Sequence, residues 1–263
     1  MTKTIVIANQ KGGVGKSTLT EVMSYILSEH NDKKVLVIDT DPQANVTDKL
    51  FRTFNKPYED MPSSDNRLMG AIDQTDLSKA IVQVTDKLDL MAGDWQLERF
   101  HDQIASVSKD KRYYILYTLL QDITPQYDYV LIDTRPSTDV LTSNVVCASD
   151  YVLIASKSEE DSFNSTIRYI EYLQRMIEYN EDLNLIGIVN YLVNMRGYVD
   201  NQILERFEDE FKNLMFDNKI KSSEVVKRWG LNGITENKSY DKKILSMYTA
   251  VVNEMDQRIK ELK

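Results

Sequence analysis

Residues 9–18, NQKGGVGKST, form a glycine-rich segment between a predicted strand and a predicted helix. The preceding run KTIVIA (3–8) predicts a buried strand, because nearly all of its residues are apolar. In residues 17–30 the apolar side chains instead recur at helical spacing: Leu19, Val22, Met23, Ile26 and Leu27. A loop at the start of a helix presents backbone N–H groups and the positive end of the helix dipole to an anion. The segment therefore predicts a phosphate-binding loop in an α/β fold.

The residue types of this loop each suit one part of a bound nucleoside triphosphate. Gly12, Gly13 and Gly15 allow the backbone to close around phosphate oxygens without obstruction by a side chain. Lys16 is expected to contact the β- and γ-phosphates, and the Ser17 hydroxyl is expected to bind Mg²⁺.

The loop departs from the usual pattern G-x-x-x-x-G-K-[ST] at two positions. Gln10 occupies the place of the first glycine, and Lys11 adds a second lysine ahead of Lys16. The pattern itself does not explain why a phosphate site carries this extra positive charge.

The rest of the chain alternates strand and helix signals. Four further apolar runs predict buried strands: residues 34–39, 127–133, 150–156 and 183–193. Before the last of them, Ser158 is predicted to cap a long helix. The buried face of that helix is predicted to be Phe163, Ile167, Ile170, Leu173 and Ile177. Strands that alternate with helices predict an α/β fold, a mostly parallel twisted sheet with helices on both faces.

Three other segments complete the predicted organisation. Residues 52–66 contain two prolines and no periodicity, so they predict an exposed loop, and residues 81–93 predict two short strands joined by a turn. Residues 244–262 predict a C-terminal helix that packs on the domain. No linker or repeat divides the sequence, which favours one domain over residues 1–263.

Three aspartates lie where predicted strands end. Asp39 and Asp41 close the segment VLVIDTD, and Asp133 closes the run YVLID. Ligands of open α/β sheets bind at the carboxyl ends of the strands, so these side chains are expected near the glycine-rich loop. Asp133 is the acid expected to hold Mg²⁺ through water. Taken singly, Asp41 suits a turn or a helix cap equally well.

Composition excludes several classes of protein. The chain has 263 residues and one cysteine, Cys147, so it lacks an internal disulfide framework and a set of cysteine ligands for an iron–sulfur cluster. No apolar run approaches the roughly 18 residues of a membrane span, and the N-terminal residues do not resemble a signal peptide. We therefore expect a cytoplasmic protein, with Cys147 as a core residue.

The charge is distributed unevenly along the chain. The net charge is −9, yet residues 212–243 carry eight Lys or Arg and four acidic residues. This basic segment has a net charge of +4, and the remainder of the chain has −13. A local surface for a polyanion is therefore compatible with an acidic protein.

The sequence resembles the ParA-type DNA-partition ATPases of the MinD/ParA family. KGGVGKST, VIDTDPQAN and YDYVLIDTRPS resemble the deviant Walker A, A′ and B motifs of that family, in the same order, and the likeness extends to GITENKSYDKKIL (233–245). It implies a P-loop NTPase fold, ATP and Mg²⁺ as cofactors, and a homodimer that encloses two ATP molecules. The extra lysine, Lys11, is then expected to reach the nucleotide of the partner subunit. With no room for a helix-turn-helix before residue 3, the chain is most similar to the small members of the family.

The same resemblance implies roles for the other motif residues. Asp41 orients or activates the attacking water, Asp39 supports it, and Ser17 and Asp133 hold Mg²⁺. Lys11 and Lys16 are then catalytic together with the two aspartates of the A′ motif. The implied nucleotide site comprises Lys11, Gly12, Gly13, Val14, Gly15, Lys16, Ser17, Thr18 and Asn190, of which Asn190 is placed near adenine.

The resemblance also implies partners. ParA-type dimers bind nonspecific double-stranded DNA and associate with the nucleoid, and a ParB-type adaptor protein stimulates hydrolysis and releases them. The expected phosphate contacts lie in the basic segment: Lys219, Lys221, Lys227, Arg228, Lys242 and Lys243. The alternative is that these residues form an ordinary solvated surface, and Trp229 among them is expected in the core.

The resemblance leaves one alternative function open. A MinD-like ATPase positioned on a membrane shares the same loop, but the charges of residues 244–263 balance, whereas a membrane anchor needs a basic face.

Arg135 occupies a place where relatives usually have proline. It is expected to pair with an acid such as Asp139, to reach the γ-phosphate or to contact a partner protein.

Overall fold

The computed structural model describes residues 1–108, 111–193 and 197–262. The strands are β1 (Lys3–Ala8), β2 (Val35–Asp39), β3 (Ile81–Gln83), β4 (Leu88–Met91), β5 (Tyr129–Asp133), β6 (Tyr151–Ser156), β7 (Asn184–Val193) and β8 (Ile220–Lys221). The α-helices are α1 (Lys16–Tyr25), α2 (Asn45–Thr53), α3 (Leu68–Asp73), α4 (Phe100–Gln103), α5 (Ile115–Leu120), α6 (Val140–Cys147), α7 (Glu160–Met176), α8 (Tyr198–Phe211), α9 (Glu224–Asn232) and α10 (Ser239–Glu261). Helix α1 continues into a π-helical turn, Ile26–His30.

The eight strands form one sheet in the order β3-β4-β2-β5-β1-β6-β7-β8. All neighbouring pairs are parallel except β3 and β4, which form the short antiparallel hairpin predicted from residues 81–93. The strands β2, β5 and β6 are buried along their whole length, which explains their continuous apolar runs. The predicted P-loop NTPase fold, with its mostly parallel sheet, is confirmed.

Helices cover both faces of this sheet in two hydrophobic clusters. One cluster joins the sheet to α1, α2, α9 and α10, and the other joins it to α3–α8. The C-terminal helix α10 begins five residues earlier than predicted, at Ser239. Its face of Tyr248, Val251, Met255 and Ile259 is completely buried. This helix therefore packs on the domain as predicted, unlike the exposed amphipathic helix of a membrane-bound protein.

The start of α7 differs from the prediction. The helix begins at Glu160 with Glu159 as its cap residue, so Ser158 lies one position too early to cap it. The Ser158 hydroxyl instead donates a hydrogen bond to Asp200 of α8, a contact that only the tertiary fold creates. Ile177 lies beyond the end of the helix and is 48% exposed, so its assignment to the buried face was wrong.

The loop predicted at residues 52–66 begins two residues later than expected. The predicted loop 52–66 is irregular from residue 54 onward, but its first two residues belong to α2, because Thr53 is buried and bonded to Glu21 of α1. Within the described residues, no helix combines the length and the apolar character that a membrane crossing requires.

The topology brings the predicted site residues to one edge. Strand β1 lies between β5 and β6, so the glycine-rich loop leaves the sheet where the chain order changes direction. Asp39 of β2 is the register partner of Asp133 of β5, which also pairs with Ile7 of β1. Both aspartates therefore stand beside the start of the loop.

Candidate nucleotide site and basic surface

The glycine-rich loop has the backbone conformation of a phosphate cradle. Gly13 and Gly15 have positive φ angles, 73° and 95°, which residues with a side chain rarely adopt. A Cβ atom on Gly15 would lie 2.1 Å from the ring of Tyr191, so a glycine is required there by packing as well. The N-terminus of α1, which begins at Lys16, follows directly. Its free N–H groups face the space that an anion would fill.

Lys16 is the buried lysine of the loop. Its residue is only 6% exposed, and burial lowers the pKa of its ammonium group, while Asp133 and Asp41 act in the opposite direction. Phosphate oxygens in the cavity would add to the attraction that the two carboxylates exert on this ammonium group.

The two aspartates of the segment after β2 perform different tasks. Asp39 is fully buried and accepts hydrogen bonds from the Thr47 N–H and hydroxyl at 3.0 and 2.7 Å and from the Asp41 N–H at 3.1 Å. It therefore fixes the path of the loop that leads into α2. Asp41 is the one that lines the cavity, and its carboxylate accepts the Gln43 N–H at 3.0 Å. Of the pair, only Asp41 is placed to touch a ligand.

Asp133 is a fully buried carboxylate, and among the described residues neither of its oxygens has a hydrogen-bond partner within normal geometry. Burial raises its pKa, while the neighbouring Ser17 hydroxyl and Lys16 ammonium act to lower it. Burial together with Asp133 also raises the pKa of Asp39. An unpaired buried acid next to a hydroxyl suits a hydrated Mg²⁺, which takes one or two protein oxygens and completes its shell with water and phosphate. The described residues contain no cluster of three or more acidic, His or Cys ligands, so nucleotide oxygens would have to supply the rest.

A cavity of about 580 Å³ opens beside these residues. One wall is the glycine-rich loop from Gly12 through Thr18, together with Asp41. The opposite wall comes from the end of β7 and from α9, with Tyr191, Val226 and Gly230 among its residues. The volume lies within the range of small-molecule sites, and the cavity combines an anion cradle with an apolar wall.

Lys11 lies outside this cavity. Its ammonium group forms an ion pair with Asp161 in the first turn of α7, at 3.0 Å, and the two side chains are 35% and 78% exposed. Its N–H donates to Asn9, which is buried and held by Ser165 and the Ala155 carbonyl. The two loop lysines therefore face different surroundings, one buried at the cavity and one at the surface.

The three other residues predicted to contact the nucleotide occupy different positions relative to the cavity. Val14 is buried in the core, and Thr18 lines the cavity. Asn190 is completely buried in β7, outside the cavity lining, and its side-chain polar atoms have no hydrogen-bond partner in the part of the chain that the structure describes. The adjoining residues Tyr191 and Leu192 line the cavity instead. A contact between Asn190 and adenine therefore remains a prediction.

Three residues of the site were missed from the sequence. Tyr191 packs on Gly15 and hydrogen-bonds Tyr248 of α10 at 2.7 Å. Gly93 lies so close to the Asp39 and Asp41 carbonyls that a Cβ would approach them to 2.7 and 3.0 Å. Lys49 of α2 reaches into the cavity wall. A glycine just after a predicted strand was a usable signal for Gly93, whereas the other two contacts arise only from the packing of distant segments.

Comparison with known proteins identifies the family. The family described as AAA domain, AAA_31, matches residues 2–185, which is more than half of the chain. The chain belongs to this family. Its curated relatives include ParA-type proteins, so the deviant Walker loop described above is that of a ParA-type P-loop ATPase.

Three similar proteins illustrate the range of this family and fold. The sporulation initiation inhibitor protein Soj of Bacillus subtilis is 29% identical over 220 residues, covering 82% of this chain and 83% of Soj. A putative plasmid partition protein of Borrelia burgdorferi, solved with AMPPNP, has a TM-score of 0.79 and 25% identity and covers 97% of this chain and 100% of that one. A cobyrinic acid a,c-diamide synthase of Mycobacterium smegmatis, solved with ADP and magnesium, has a TM-score of 0.81 and 23% identity and covers 99% and 96%. The last likeness concerns the fold alone.

In this ParA-type ATPase, half of the predicted DNA contacts are engaged elsewhere. Arg228 pairs with Asp241, a carboxylate that is buried at the start of α10 and also accepts the Thr235 hydroxyl at 2.9 Å. Lys219 pairs with Glu208 at 2.5 Å, and Lys227 pairs with Glu224 at 2.6 Å while lining the nucleotide cavity. Arg228 is thus a structural residue that fastens α9 to α10.

The other three lysines are exposed: Lys221, Lys242 and Lys243. Within the described parts of the chain, none of them forms an ion pair with a carboxylate. Lys221 lines a shallow depression together with Ser246 and Met247 of α10, and Lys242 and Lys243 lie one helical turn before those two residues. We call Lys221, Lys242 and Lys243 the basic surface. Trp229 is 1% exposed and packs near Tyr248, so its expected place in the core is confirmed.

Arg135 forms the ion pair expected from the sequence. Its guanidinium contacts Asp139, the cap residue of α6, and also Glu98 at 3.0 Å. The Arg135 side chain is 22% exposed, and it connects the loop after β5 to the segment before α4. Cys147 is buried, and burial raises its pKa to about 12, consistent with a core residue.

Replacing Arg135 with proline should leave the affinity for ATP unchanged and lower the stability by about 1 kcal/mol, the usual scale of a partly exposed ion pair. Nucleotide titration and thermal unfolding measure the two effects. An ATPase rate reduced more than about tenfold, at normal affinity and stability, would instead make Arg135 a residue of the catalytic site.

Proposed function

We propose that this chain is a partition ATPase that dimerises on ATP, binds DNA without sequence specificity, and is released when a ParB-type partner stimulates hydrolysis. Its cargo is plasmid or chromosomal DNA. The observation that carries the proposal is the different placement of the two loop lysines. Lys16 is buried at the cavity, and Lys11 stands outside it at the surface, where its ammonium group pairs with an exposed aspartate.

The charge of the nucleotide explains what a surface lysine beside the loop can do. ATP with one Mg²⁺ carries a charge of roughly −2, and two such ligands that face each other across an interface repel strongly at low dielectric. Lys11 of each subunit is placed to offset that charge when it leaves Asp161. The offset exists only when both nucleotides are present, so dimerisation becomes linked to ATP binding.

Hydrolysis is assigned to the residues of the cavity. Asp41, which lines the cavity, orients the attacking water and accepts its proton in this proposal, while Asp39 accepts the Asp41 N–H and holds that backbone in position. Lys16 and the N–H groups of the loop stabilise the charge that develops on the γ-phosphate. Ser17 and Asp133 would hold Mg²⁺, which supplies neutralisation of the β- and γ-phosphate charge when bound.

The basic surface is the assigned contact for DNA phosphates. Its three lysines are free of intramolecular ion pairs to the described carboxylates, and a ParA-type dimer would present two copies of it to one duplex. Weak binding by each copy then becomes firm binding by the dimer, which explains why DNA binding should need ATP. Association with the nucleoid in the cytoplasm follows from the same surface.

The test is a DNA mobility shift on a random-sequence duplex, with and without ATP, for three proteins. We expect the wild type to shift the duplex only with ATP. Asp41→Ala should hold the shift for longer, because its hydrolysis slows by about 100-fold or more when the water-orienting carboxylate is lost. Lys16→Ala should give no shift, because it loses the charge that binds the phosphates.

The outcomes separate the proposal from its alternatives. A shift that is equal with and without ATP in all three proteins would contradict the coupling between nucleotide and DNA. Absence of any shift, accompanied by ATP-dependent flotation with anionic vesicles, would favour the membrane-positioning function instead.

A further inference from the structure

The wall of the nucleotide cavity contains a lysine that lies outside all of the Walker motifs. Lys49 projects from α2, and its Nζ lies 3.1 Å from the Thr18 hydroxyl in the first turn of α1. Its side chain is 19% exposed and lines the same cavity as Lys16. Lys49 therefore approaches the nucleotide site from the helix after Asp41, in addition to Lys16 from the loop and Lys227 from α9.

The partner of Lys49 is an acid with no access to solvent. The Nζ of Lys49 lies 3.4 Å from the Oε2 of Glu21, whose side chain is 0% exposed, while the Thr53 hydroxyl donates to the other oxygen at 2.8 Å. Burial of such a pair costs free energy, and an apolar pair of the same size is often as stable. The pair nevertheless leaves Lys49 with donor capacity, because an ammonium group has three N–H donors and only two are occupied by Thr18 and Glu21.

The position of Thr18 indicates which phosphate this spare donor would meet. In a loop of this type the lysine contacts the β- and γ-phosphates, while the backbone N–H groups that lead into the helix hold the α- and β-phosphates. Thr18 lies two residues beyond Lys16, in the first turn of α1, where the N–H groups of the loop lead into the helix. An ammonium group within hydrogen-bonding distance of the Thr18 hydroxyl is therefore within reach of an α-phosphate oxygen.

We propose that Lys49 binds the α-phosphate of the nucleotide and is held in position for this by the buried carboxylate of Glu21. The inference rests on the proposed function, since it assumes that the cavity receives ATP. Because ADP carries the same α-phosphate, Lys49 strengthens the binding of ATP and ADP equally. Lys49 thus keeps the nucleotide in the monomer, whereas Lys11 responds to the presence of two triphosphates.

The experiment must separate this role from simple neutralisation of Glu21. Lys49→Met alone leaves a buried carboxylate without a counterion and is expected to be unstable, so the informative protein is the double variant Glu21→Gln with Lys49→Met. Its two neutral side chains retain similar volumes and remove the charge problem. Glu21→Gln alone is the matched control, because it keeps the ammonium group at the cavity.

The measurements are thermal unfolding without nucleotide and calorimetric titration with ADP and with a non-hydrolysable ATP analogue. We expect the double variant to unfold within a few degrees of the wild type and to bind both nucleotides about 10- to 100-fold more weakly, the usual effect of losing one charged hydrogen bond. Glu21→Gln should bind both nucleotides at least as tightly as the wild type does.

Two results would overturn the inference. If the double variant binds ADP as tightly as the wild type, Lys49 serves only as the counterion of Glu21. If it loses affinity for the ATP analogue alone, the lysine contacts the γ-phosphate. Failure of the wild type to bind either nucleotide would instead refute the proposed function, and the inference with it.

Discussion

Replacing Lys11 with alanine should abolish the ATP-dependent dimer and leave ATP binding by the monomer intact. Lys11 does not line the cavity of its own subunit, so its loss removes no contact to the bound nucleotide there. Across an interface, a lysine about 4 Å from a phosphate charge contributes about 4 kcal/mol at an effective dielectric constant of 20. Each subunit loses one such contact, and each loss by itself weakens the dimer by about 1,000-fold. Light scattering with a non-hydrolysable ATP analogue measures the dimer, and calorimetry measures the affinity of the nucleotide.

The matched control is Asp161→Asn, which breaks the ion pair of Lys11 but keeps the lysine. An exposed pair contributes about 0–1 kcal/mol, and two such pairs break when a dimer forms, so this variant should dimerise as well as the wild type or up to about 30-fold more tightly. Normal dimerisation of Lys11→Ala would show that the lysine has no role in the partner subunit. Loss of nucleotide binding by the monomer would show that Lys11 acts on its own subunit instead.

The sequence predicted the buried strands best, because burial alone determines their pattern of apolar residues. The runs that became β1, β2, β5, β6 and β7 are apolar at almost every position because both faces of a parallel sheet are covered. The loop of residues 9–18 was equally clear, because glycines followed by a lysine and a serine between a strand and a helix are typical of a phosphate-binding loop. The predicted cap of α7 was wrong because the Ser158 hydroxyl donates instead to Asp200, which lies 42 residues further along the chain in α8.

The contacts that escaped the sequence join segments far apart in the chain. Tyr191 approaches Gly15 from β7, and Lys49 approaches Thr18 from α2. Neither residue belongs to a local pattern, since a tyrosine at the end of a strand and a lysine on a helix are ordinary in both places. Only the order of strands in the sheet, with β1 next to β6 and β7 beyond it, makes the first contact possible.

Counting charges along the sequence located the basic segment, but it could not show which of its basic side chains form ion pairs with acidic residues. The structure divides the six predicted residues into three that have acidic partners and three that form the basic surface. Reversal of Arg228 would place two carboxylates together at the buried Asp241, so such a variant would report on stability rather than on DNA binding. A useful test of DNA binding must therefore avoid Arg228.

Reversing the charge of the basic surface, with Lys221→Glu, Lys242→Glu and Lys243→Glu together, should remove DNA binding and leave ATP-dependent dimerisation unchanged. If each of the three lysines contacts one phosphate, the logarithm of the binding constant should fall with the logarithm of salt concentration with a slope near −3 for a monomer and about double that for a dimer. We expect the triple variant to bind a random-sequence duplex at least about 100-fold more weakly at moderate salt. Fluorescence anisotropy over a series of salt concentrations measures both the affinity and the slope.

The matched control reverses three exposed lysines outside the basic surface, Lys33→Glu, Lys111→Glu and Lys260→Glu, so the net charge changes equally. A general electrostatic effect would weaken both proteins alike, because repulsion by the whole molecule depends on net charge. A local contact weakens only the first, since counterions are released only where lysines meet phosphates. If the control loses as much affinity as the triple variant, the basic surface is an ordinary solvated face and the DNA site lies elsewhere. If the slope of the wild-type dimer stays near −3, the two copies do not engage one duplex, and the ATP dependence of DNA binding needs another explanation.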